Sequence, residues 1–95
     1  MTRRDARSSD VDCHEARRLV AGIRNKRRSQ NPEDLLAAAR ALGFEVDAKR
    51  GKGSHLWLVH PEGVRFPVPT GRRPVRVGTT TAILRRLEEV LHDVC

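Results

Sequence analysis

The sequence predicts an α+β domain in which helices cover one face of a three-stranded antiparallel sheet. Apolar residues recur at helical spacing in three segments, at about residues 10–28, 32–42 and 79–94. Between the second and third of these segments, three short runs alternate apolar with polar residues, as strands with one buried face do. The connections between the runs are short, which favours neighbouring antiparallel strands.

The first helical segment is basic and follows a polar tail. Residues 1–9 are rich in Arg and Ser, and we expect them to form a disordered tail. Ser9 or Asp10 can cap a helix in the basic segment 10–30. The apolar stripe of this helix is narrow and consists of Ala16, Leu19, Val20 and Ile23. We therefore expect a basic helix that docks on the core by this stripe.

The second helix has a clear start and a clear end. Asn31 is a strong N-cap and Pro32 suits the first helical position. Glu33 and Asp34 complement the positive end of the helix dipole, and Gly43 suits the position just beyond the helix. The apolar face consists of Leu35, Leu36, Ala39 and Leu42. We assign this helix to the core and no chemistry to it.

Three strands follow, at about residues 44–48, 55–59 and 64–69. Their short connections make an antiparallel meander the simplest arrangement. Pro67 and Pro69 have no N–H group to donate to a neighbouring strand, so the third strand is predicted to lie at an edge of the sheet.

Alternation along the strands also predicts which side chains share a face. If the apolar set faces the helices, His55, Trp57 and Arg65 share the opposite, open face. A shift in register by one residue would reverse this assignment. For Trp57 two interpretations are about equally balanced, because a single Trp is often a core residue but on an open face it can stack on a base. The residues predicted to face inward are Phe44, Val46, Leu56, Leu58, Val64, Phe66 and Val68.

The last segment consists of a basic loop and a helix. Residues 70–78 form the loop, with Arg72, Arg73 and Arg76 around Pro74. Gly78, Thr79 or Thr80 begins a helix whose inward face is Ile83, Leu84, Leu87, Val90, Leu91 and Val94. The order α-β-β-β-α, preceded by an extra N-terminal basic helix, is that of a double-stranded-RNA-binding-domain-like fold.

Composition limits the classes of protein. Ninety-five residues form one domain with a small core. No apolar run approaches the ~20 residues of a membrane span, and the N-terminus lacks the apolar part of a signal peptide. We therefore expect a cytoplasmic protein, in which Cys13 and Cys95 are free thiols rather than a disulfide. His and Cys residues show no metal-ligand spacing, so we expect neither a metal nor another cofactor.

Positive charge is concentrated in two parts of the chain. The formal net charge is +7, and residues 49–76 contain seven basic residues and a single acidic one, Glu62. Residues 1–30 contain nine basic and four acidic residues. Such clustering favours a polyanionic partner, nucleic acid first, although a basic surface without a ligand is the alternative. The arginines of the first helix are better interpreted as a solvated face than as an RNA contact.

His55 is the candidate catalytic residue. It begins the second strand, directly after a glycine-containing basic turn formed by Lys49, Arg50, Gly51, Lys52, Gly53 and Ser54. An imidazole that titrates near neutrality, beside cations that bind phosphate, suits acid–base chemistry on a nucleic-acid backbone. The simpler alternative is a strand histidine with a structural hydrogen bond. We expect His60 to be structural or turn-capping, and His14 and His92 to lie on the surface.

The order of these motifs resembles a known family, the HicA toxins, which are small mRNA interferases of bacterial toxin–antitoxin systems. The resemblance covers about residues 31–92. It is carried by Asn-Pro-Glu-Asp-Leu-Leu, Ala-Leu-Gly-Phe, Lys-Gly-Ser-His, Val-His-Pro, a Val-x-Phe-x-Val-Pro strand and Gly-Thr-Thr-Thr-Ala-Ile-Leu. There are two departures: Thr70 stands where many relatives have a histidine after the proline, and the basic helix is longer than in the shortest members.

The resemblance implies an endoribonuclease that cleaves mRNA without a metal, and a HicB-like antitoxin that binds it in a hetero-oligomer. The functional histidine of the family corresponds to His55. We therefore divide the chain into a tail (1–9), a basic helix (10–30) and an RNA-binding and RNA-cleaving domain (31–95). The residues expected to contact RNA are Lys49, Arg50, Lys52, Ser54, Trp57, Arg65, Arg72, Arg73 and Arg76.

His55 is expected to act as base or acid when a ribose 2′-hydroxyl attacks the adjacent phosphate, with Arg65 or Arg73 stabilising the phosphorane. Two other classes of function remain. One is a non-catalytic module that binds RNA or DNA by shape and phosphate contacts. The other is an interaction protein whose basic surface docks an acidic partner.

Overall fold

The computed structural model describes residues 11–47 and 55–95, and it confirms the predicted α+β fold. One helix precedes a second helix, three antiparallel strands and a last helix. The elements are α1 (Cys13–Asn25), a 3₁₀ turn (Arg27–Ser29), α2 (Pro32–Ala41), β1 (Glu45–Asp47), β2 (His55–Val59), β3 (Arg65–Pro69) and α3 (Val77–Val94). The predicted tail and the cap at Ser9 or Asp10 lie outside the described residues.

Helix α1 begins and ends differently from the prediction. The side chain of Asp12 caps it by accepting a hydrogen bond from the Glu15 N–H, at 3.0 Å between Oδ1 and N. The helix ends at Asn25 instead of continuing to Arg28, and the chain then tightens into the 3₁₀ turn. Ala16, Val20 and Ile23 are buried, which confirms the predicted stripe.

Two arginines of α1 pair with acids on the surface. Arg18 binds Glu15 within the helix, and this hydrogen bond, followed by charge attraction, raises the pKa of Arg18. Arg24 binds Glu88 of α3. These pairs support the interpretation of this face as solvated, because both arginines already have a partner within the chain.

Helix α2 has the predicted termini. The Asn31 N–H donates to Asp34 Oδ2 at 2.8 Å, so the first turn carries part of a capping box. Pro32 is the first helical residue. Gly43 follows the helix with φ at 97°, a left-handed conformation in which a side chain is strained.

The sheet is an antiparallel meander in the order β1-β2-β3, so β3 lies at an edge as its prolines predict. Strands β1 and β3 each begin one residue later than predicted, and β3 ends at Pro69 as predicted. Ala48, the last residue of the predicted first strand, lies outside the described residues. In the register, His55 pairs with Pro69 and Val59 pairs with Arg65.

This register separates the two faces of the sheet. The inward face carries the buried residues Leu58, Phe66 and Val68. His55, Trp57 and Arg65 occupy the alternate positions, so the prediction that they share the open face is confirmed. His55 and Arg65 are exposed, and Trp57 is half-buried.

A single hydrophobic core joins all three helices to the inward face of the sheet. Helix α1 packs against both α2 and α3, and its buried residues belong to the same core. The basic helix is therefore an integral part of the folded domain rather than an appended arm. No helix within the described ranges has both the length and the apolar character required to cross a membrane.

The prediction of free thiols is wrong, because Cys13 and Cys95 form a disulfide. Cys13 is the first residue of α1 and Cys95 directly follows α3, and their Cα atoms are 5.8 Å apart. Arg17 Nη2 also donates to the Cys95 carbonyl oxygen at 3.2 Å. The packing of α1 against α3 brings together two ends that are 82 residues apart in the sequence, which spacing alone could not reveal.

Candidate active site

His55 lies at the first position of β2, with its side chain on the open face of the sheet and exposed to solvent. Its cross-strand partner is Pro69, the last residue of β3. Trp57 lies on the same face two residues further along and pairs with Pro67. The proline rings beside His55 and Trp57 make this edge of the open face apolar and locally rigid.

A pocket of about 290 Å³ opens beside His55. It lies where the end of β3, the following loop and the start of α3 meet. Its lining combines three cationic or titratable side chains with apolar ones and one hydroxyl. The lining residues are His55, Pro67, Pro69, Arg72, Val75, Arg76 and Thr79.

The loop between β3 and α3 is held in place by residues of the preceding helical region. Val75 is buried, and its N–H donates to the Gln30 carbonyl oxygen at 2.8 Å. The Gln30 side chain in turn donates from Nε2 to the Lys26 carbonyl oxygen at 2.9 Å. Because Val75 is anchored in the core, its neighbours in the loop are held at fixed positions near the pocket.

Arg72, Arg73 and Arg76 have different surroundings, although all three were predicted to contact RNA. Arg72 and Arg76 line the pocket with His55. Arg73 instead binds Glu33 at the start of α2, with both Nη atoms 2.6 Å from Oε2. The structure thus brings two of the three loop arginines to the histidine.

Arg65 is on the predicted face but not at the predicted place. It pairs with Val59, four residues along β2 from His55. At about 3.3 Å per residue the two positions are ~13 Å apart along the strand. Neither Arg65 nor Arg73 lies next to His55, so the expectation that one of them stabilises a phosphorane there does not fit the geometry.

Of the other residues predicted to contact RNA, one lies near the pocket and four are not described by the structure. Trp57 is on the open face near the pocket without lining it. Lys49, Arg50, Lys52 and Ser54 lie outside the described residues, so their expected contacts with RNA stay predictions.

Charge on the open face is divided between its two edges. Glu45 and Asp47 of β1 pair with Val59 and Trp57, so they share the open face with His55. The cationic side chains Arg72 and Arg76 lie beyond the opposite edge, next to the end of β3. Arg72 and Arg76 therefore favour an anionic chain along the β3 edge.

Sequence reasoning missed several residues of the pocket. Thr79 was considered only as a helix start, and Pro67 and Pro69 only as marks of an edge strand. Val75 carried no functional signal at all. The missing information was the antiparallel pairing of the start of β2 with the end of β3, which places the loop after β3 beside His55.

His60, five residues from His55, is structural as predicted. It is buried, its Nε2–H donates to the Leu42 carbonyl oxygen at 2.8 Å, and its Nδ1 accepts from the Glu62 N–H at 3.0 Å. Its ring lies edge-on to Phe44, with 4.9 Å between ring centroids. His14 and His92 are exposed, also as predicted.

Comparison with known families decides the assignment that this geometry suggests. The family described as HicA toxin of bacterial toxin-antitoxin matches residues 32–88, more than half of the chain. The chain belongs to the HicA toxin family. The resemblance noted in the motifs is thereby confirmed, and this HicA toxin is one half of a toxin–antitoxin pairing.

The family match covers α2, the sheet and most of α3. Helix α1 and both cysteines of this HicA toxin lie outside it. Neither the curated proteins nor the solved structures gave a match. Among residues 11–47 and 55–95, no group of three or more His, Cys, Asp or Glu side chains is placed to hold a metal ion.

Proposed function

We propose that this HicA toxin is an endoribonuclease that cleaves mRNA and that His55 is its acid–base residue. One observation carries the proposal: an exposed histidine at the start of β2 lines a pocket together with Arg72 and Arg76. Membership of a toxin family supports the proposal, because a toxin acts on a target in the cell. The two arginines of the pocket favour a polyanion such as RNA as that target.

The proposed reaction is a transesterification within the RNA. The ribose 2′-oxygen attacks the adjacent phosphorus, and the bond from phosphorus to the 5′-oxygen breaks. The 2′-hydroxyl loses a proton and the departing 5′-oxygen gains one, so no proton is consumed. His55 takes one of these roles, as base or as acid, and water takes the other. The products are a 2′,3′-cyclic phosphate and a 5′-hydroxyl.

Arg72 and Arg76 supply the charge that this reaction needs. Guanidinium groups bind phosphate oxygens with two parallel hydrogen bonds and remain protonated at all relevant pH values. Their place in the lining beside His55 suits them to the phosphate under attack. They take the role that the sequence suggested for Arg65 or Arg73.

Cleavage is expected to be slow. Of the described residues that line the pocket, His55 is the one side chain suited to acid–base catalysis, because the two arginines keep their protons. One positioned acid–base group contributes about 10²–10⁴-fold, and electrostatic stabilisation by the arginines can contribute a similar factor. Slow turnover is compatible with a toxin that arrests growth by removing many transcripts.

The test is to incubate purified protein with RNA in EDTA, which removes free divalent metal ions. We expect cleavage by the wild type and its loss in His55→Ala. His92→Ala is the matched control, because His92 is an exposed histidine on α3 outside the pocket. Cleavage retained in His55→Ala, or abolished equally in His92→Ala, would remove His55 from the proposed mechanism.

The non-catalytic binding module remains the second candidate, since no second acid–base group lines the pocket in the described part of the chain. A pure binder would leave RNA intact over hours. It would also lose little RNA affinity in His55→Ala, because its arginines would still hold the phosphates. The same incubation therefore separates the two functions.

We also propose a HicB-like antitoxin as the protein partner, since the family is defined by a toxin–antitoxin pairing. An acidic surface on the antitoxin would complement Arg72 and Arg76 and cover His55. Titration of the purified toxin with its antitoxin should stop RNA cleavage at one equivalent per active site. Continued cleavage in the saturated complex would show that the antitoxin binds elsewhere.

A further inference from the structure

We infer that the pocket beside His55 is a subsite for a single ribonucleotide, in which prolines take the base or ribose and arginines take the phosphate. The inference rests on the proposed function in one respect, because a subsite next to the scissile bond presupposes that the protein cleaves RNA there. Binding of a nucleotide in this pocket can be measured whether or not the protein cleaves RNA.

The lining has two chemically different parts. Pro67, Pro69 and Val75 provide an apolar surface, and Arg72 and Arg76 provide positive charge. A nucleotide has the same division, with the faces of its base and sugar on one side and its phosphate on the other. Apolar side chains pack against the face of a base or sugar without reading its hydrogen-bonding groups, and guanidinium groups hold phosphates.

Size limits the occupant. The pocket has a volume of about 290 Å³. Pockets for small molecules usually measure about 300–1,000 Å³, so this one suits one nucleotide rather than a stretch of several. The neighbouring nucleotides would continue over Trp57 on the open face.

Charge limits the sign of the occupant. None of the seven described lining residues is acidic. The acids of the open face, Glu45 and Asp47, are on β1, separated from β3 by the whole of β2. The two arginines repel a cationic ligand and form only ordinary hydrogen bonds with a neutral one, whereas a nucleotide phosphate pairs with them through stronger charge-assisted bonds.

The pocket is largely formed before any ligand binds. Pro67 and Pro69 have fixed backbone angles in a paired strand, and Val75 is buried and held by Gln30. Such a wall loses little conformational entropy when a ligand is bound. The flexible parts are the arginine side chains, which are the parts that must adapt to a phosphate.

Thr79 is the specificity-determining residue in this arrangement. Besides His55, it is the one uncharged lining residue of the described set that has a side-chain hydrogen-bonding group. A hydroxyl both donates and accepts, so it can bond a base edge or a ribose hydroxyl, whereas the prolines cannot distinguish one base from another. Thr79→Val keeps the shape of the side chain and removes that bond.

The experiment uses ¹⁵N-labelled wild-type protein and the four ribonucleoside 3′-monophosphates, which contain no phosphodiester bond for the protein to cleave. Saturable shifts are expected at the amides of Val68, Val75 and Thr79, with inorganic phosphate and the free nucleosides binding about tenfold or more weakly. Arg72→Gln and Arg76→Gln should each weaken nucleotide binding about tenfold.

Matched controls are available on α3. Arg85→Gln and Thr81→Val change an arginine and a threonine that lie outside the pocket, and they should leave nucleotide affinity unchanged. Thr79→Val should change the ranking of the four nucleotides and, in protein that retains His55, the positions at which RNA is cut. Circular dichroism of each variant confirms that it is folded.

The outcomes separate the subsite from the cleavage function. If nucleotides bind at these amides but the wild type does not cleave RNA, the proposed subsite is supported and the proposed ribonuclease activity is ruled out. Cleavage with no shift at these amides, or with phosphate alone binding as tightly as a nucleotide, would overturn the subsite and leave the enzyme in place. An unchanged ranking in Thr79→Val would remove Thr79 as the specificity determinant.

Discussion

The two ends of β2 carry the same residue type in opposite circumstances. His55, at the start of the strand, is exposed and lines a pocket with two arginines. His60, just after its end, is buried with a hydrogen bond at each ring nitrogen. An imidazole whose two nitrogens are occupied by backbone groups holds the fold together, and one that faces solvent among cations can exchange protons with a ligand.

The same contrast recurs elsewhere in the chain. Arg73 is bound to Glu33, whereas Arg72 and Arg76 on either side of it line the pocket. The disulfide and α1 lie outside the family match, and α1 contributes buried residues to the core. We therefore expect mutations to fall into two groups, one that changes stability and one that changes RNA chemistry.

The largest expected effect on stability comes from the disulfide. Cross-linking residues 82 apart restricts the unfolded chain, and the chain-entropy relation for a loop of this length gives about 4.5 kcal/mol. Cys13→Ser should lower the free energy of unfolding by about this amount. Urea denaturation measures it, and the cleavage rate per folded molecule should be unchanged.

The control for that prediction is reductant. Dithiothreitol should destabilise the wild type as much as the Cys13→Ser substitution does and should have no further effect on the variant. Equal denaturation midpoints for oxidised and reduced wild type would show that the cross-link contributes nothing. A loss of cleavage in the folded variant would instead connect the disulfide to the site.

The second largest effect is expected at His60. His60→Ala removes two hydrogen bonds and the ring contact with Phe44, and it leaves the Leu42 carbonyl oxygen without its partner. Together these losses should cost about 2–4 kcal/mol of stability. Thermal unfolding measures the loss, and His92→Ala, at an exposed position, should stay within about 0.5 kcal/mol of the wild type.

His55→Ala completes this comparison, because it should leave the free energy of unfolding within about 0.5 kcal/mol while abolishing cleavage. If His60→Ala abolished cleavage in molecules that remain folded, the structural assignment of His60 would be wrong. If His55→Ala unfolded the protein, the role of His55 would be structural.

How far the sequence could predict this arrangement depends on the kind of information. Strand alternation predicts which face a side chain occupies, and for His55, Trp57 and Arg65 that prediction is confirmed. Alternation does not predict which residues of a neighbouring strand lie beside a given side chain. Arg65 therefore shared the predicted face yet lies opposite Val59, far from His55.

Features that depend on tertiary packing could not be predicted from the sequence. The proximity of Cys13 and Cys95 follows from helix packing and has no local signal. The partners of His55 in the loop became apparent only through cross-strand pairing and the burial of Val75. By contrast, the caps of α2 and its terminal glycine are local features, and they were predicted correctly.

The third effect separates the arginines by the salt dependence of RNA binding. Each phosphate contact to a single strand contributes about 0.7 to the slope of log affinity against log salt. Arg72→Gln and Arg76→Gln should each reduce the slope by about this amount and weaken binding at physiological salt. Fluorescence anisotropy with labelled RNA and the His55→Ala background measures both quantities. An unchanged slope in both variants would place the RNA elsewhere.

The smallest expected effect is at Arg73, and it is the sharpest test of the distinction within the loop. Its ion pair with Glu33 is on the surface, with more than half of each side chain exposed, so it should contribute about 0–1 kcal/mol. Arg73→Gln should therefore change stability slightly and leave the salt slope unaltered. In a double-mutant cycle, Glu33→Gln should add no further destabilisation to Arg73→Gln. A slope that falls in Arg73→Gln as it does in Arg72→Gln would mean that Arg73 leaves Glu33 to bind phosphate, and the loop would then present three arginines to RNA instead of two.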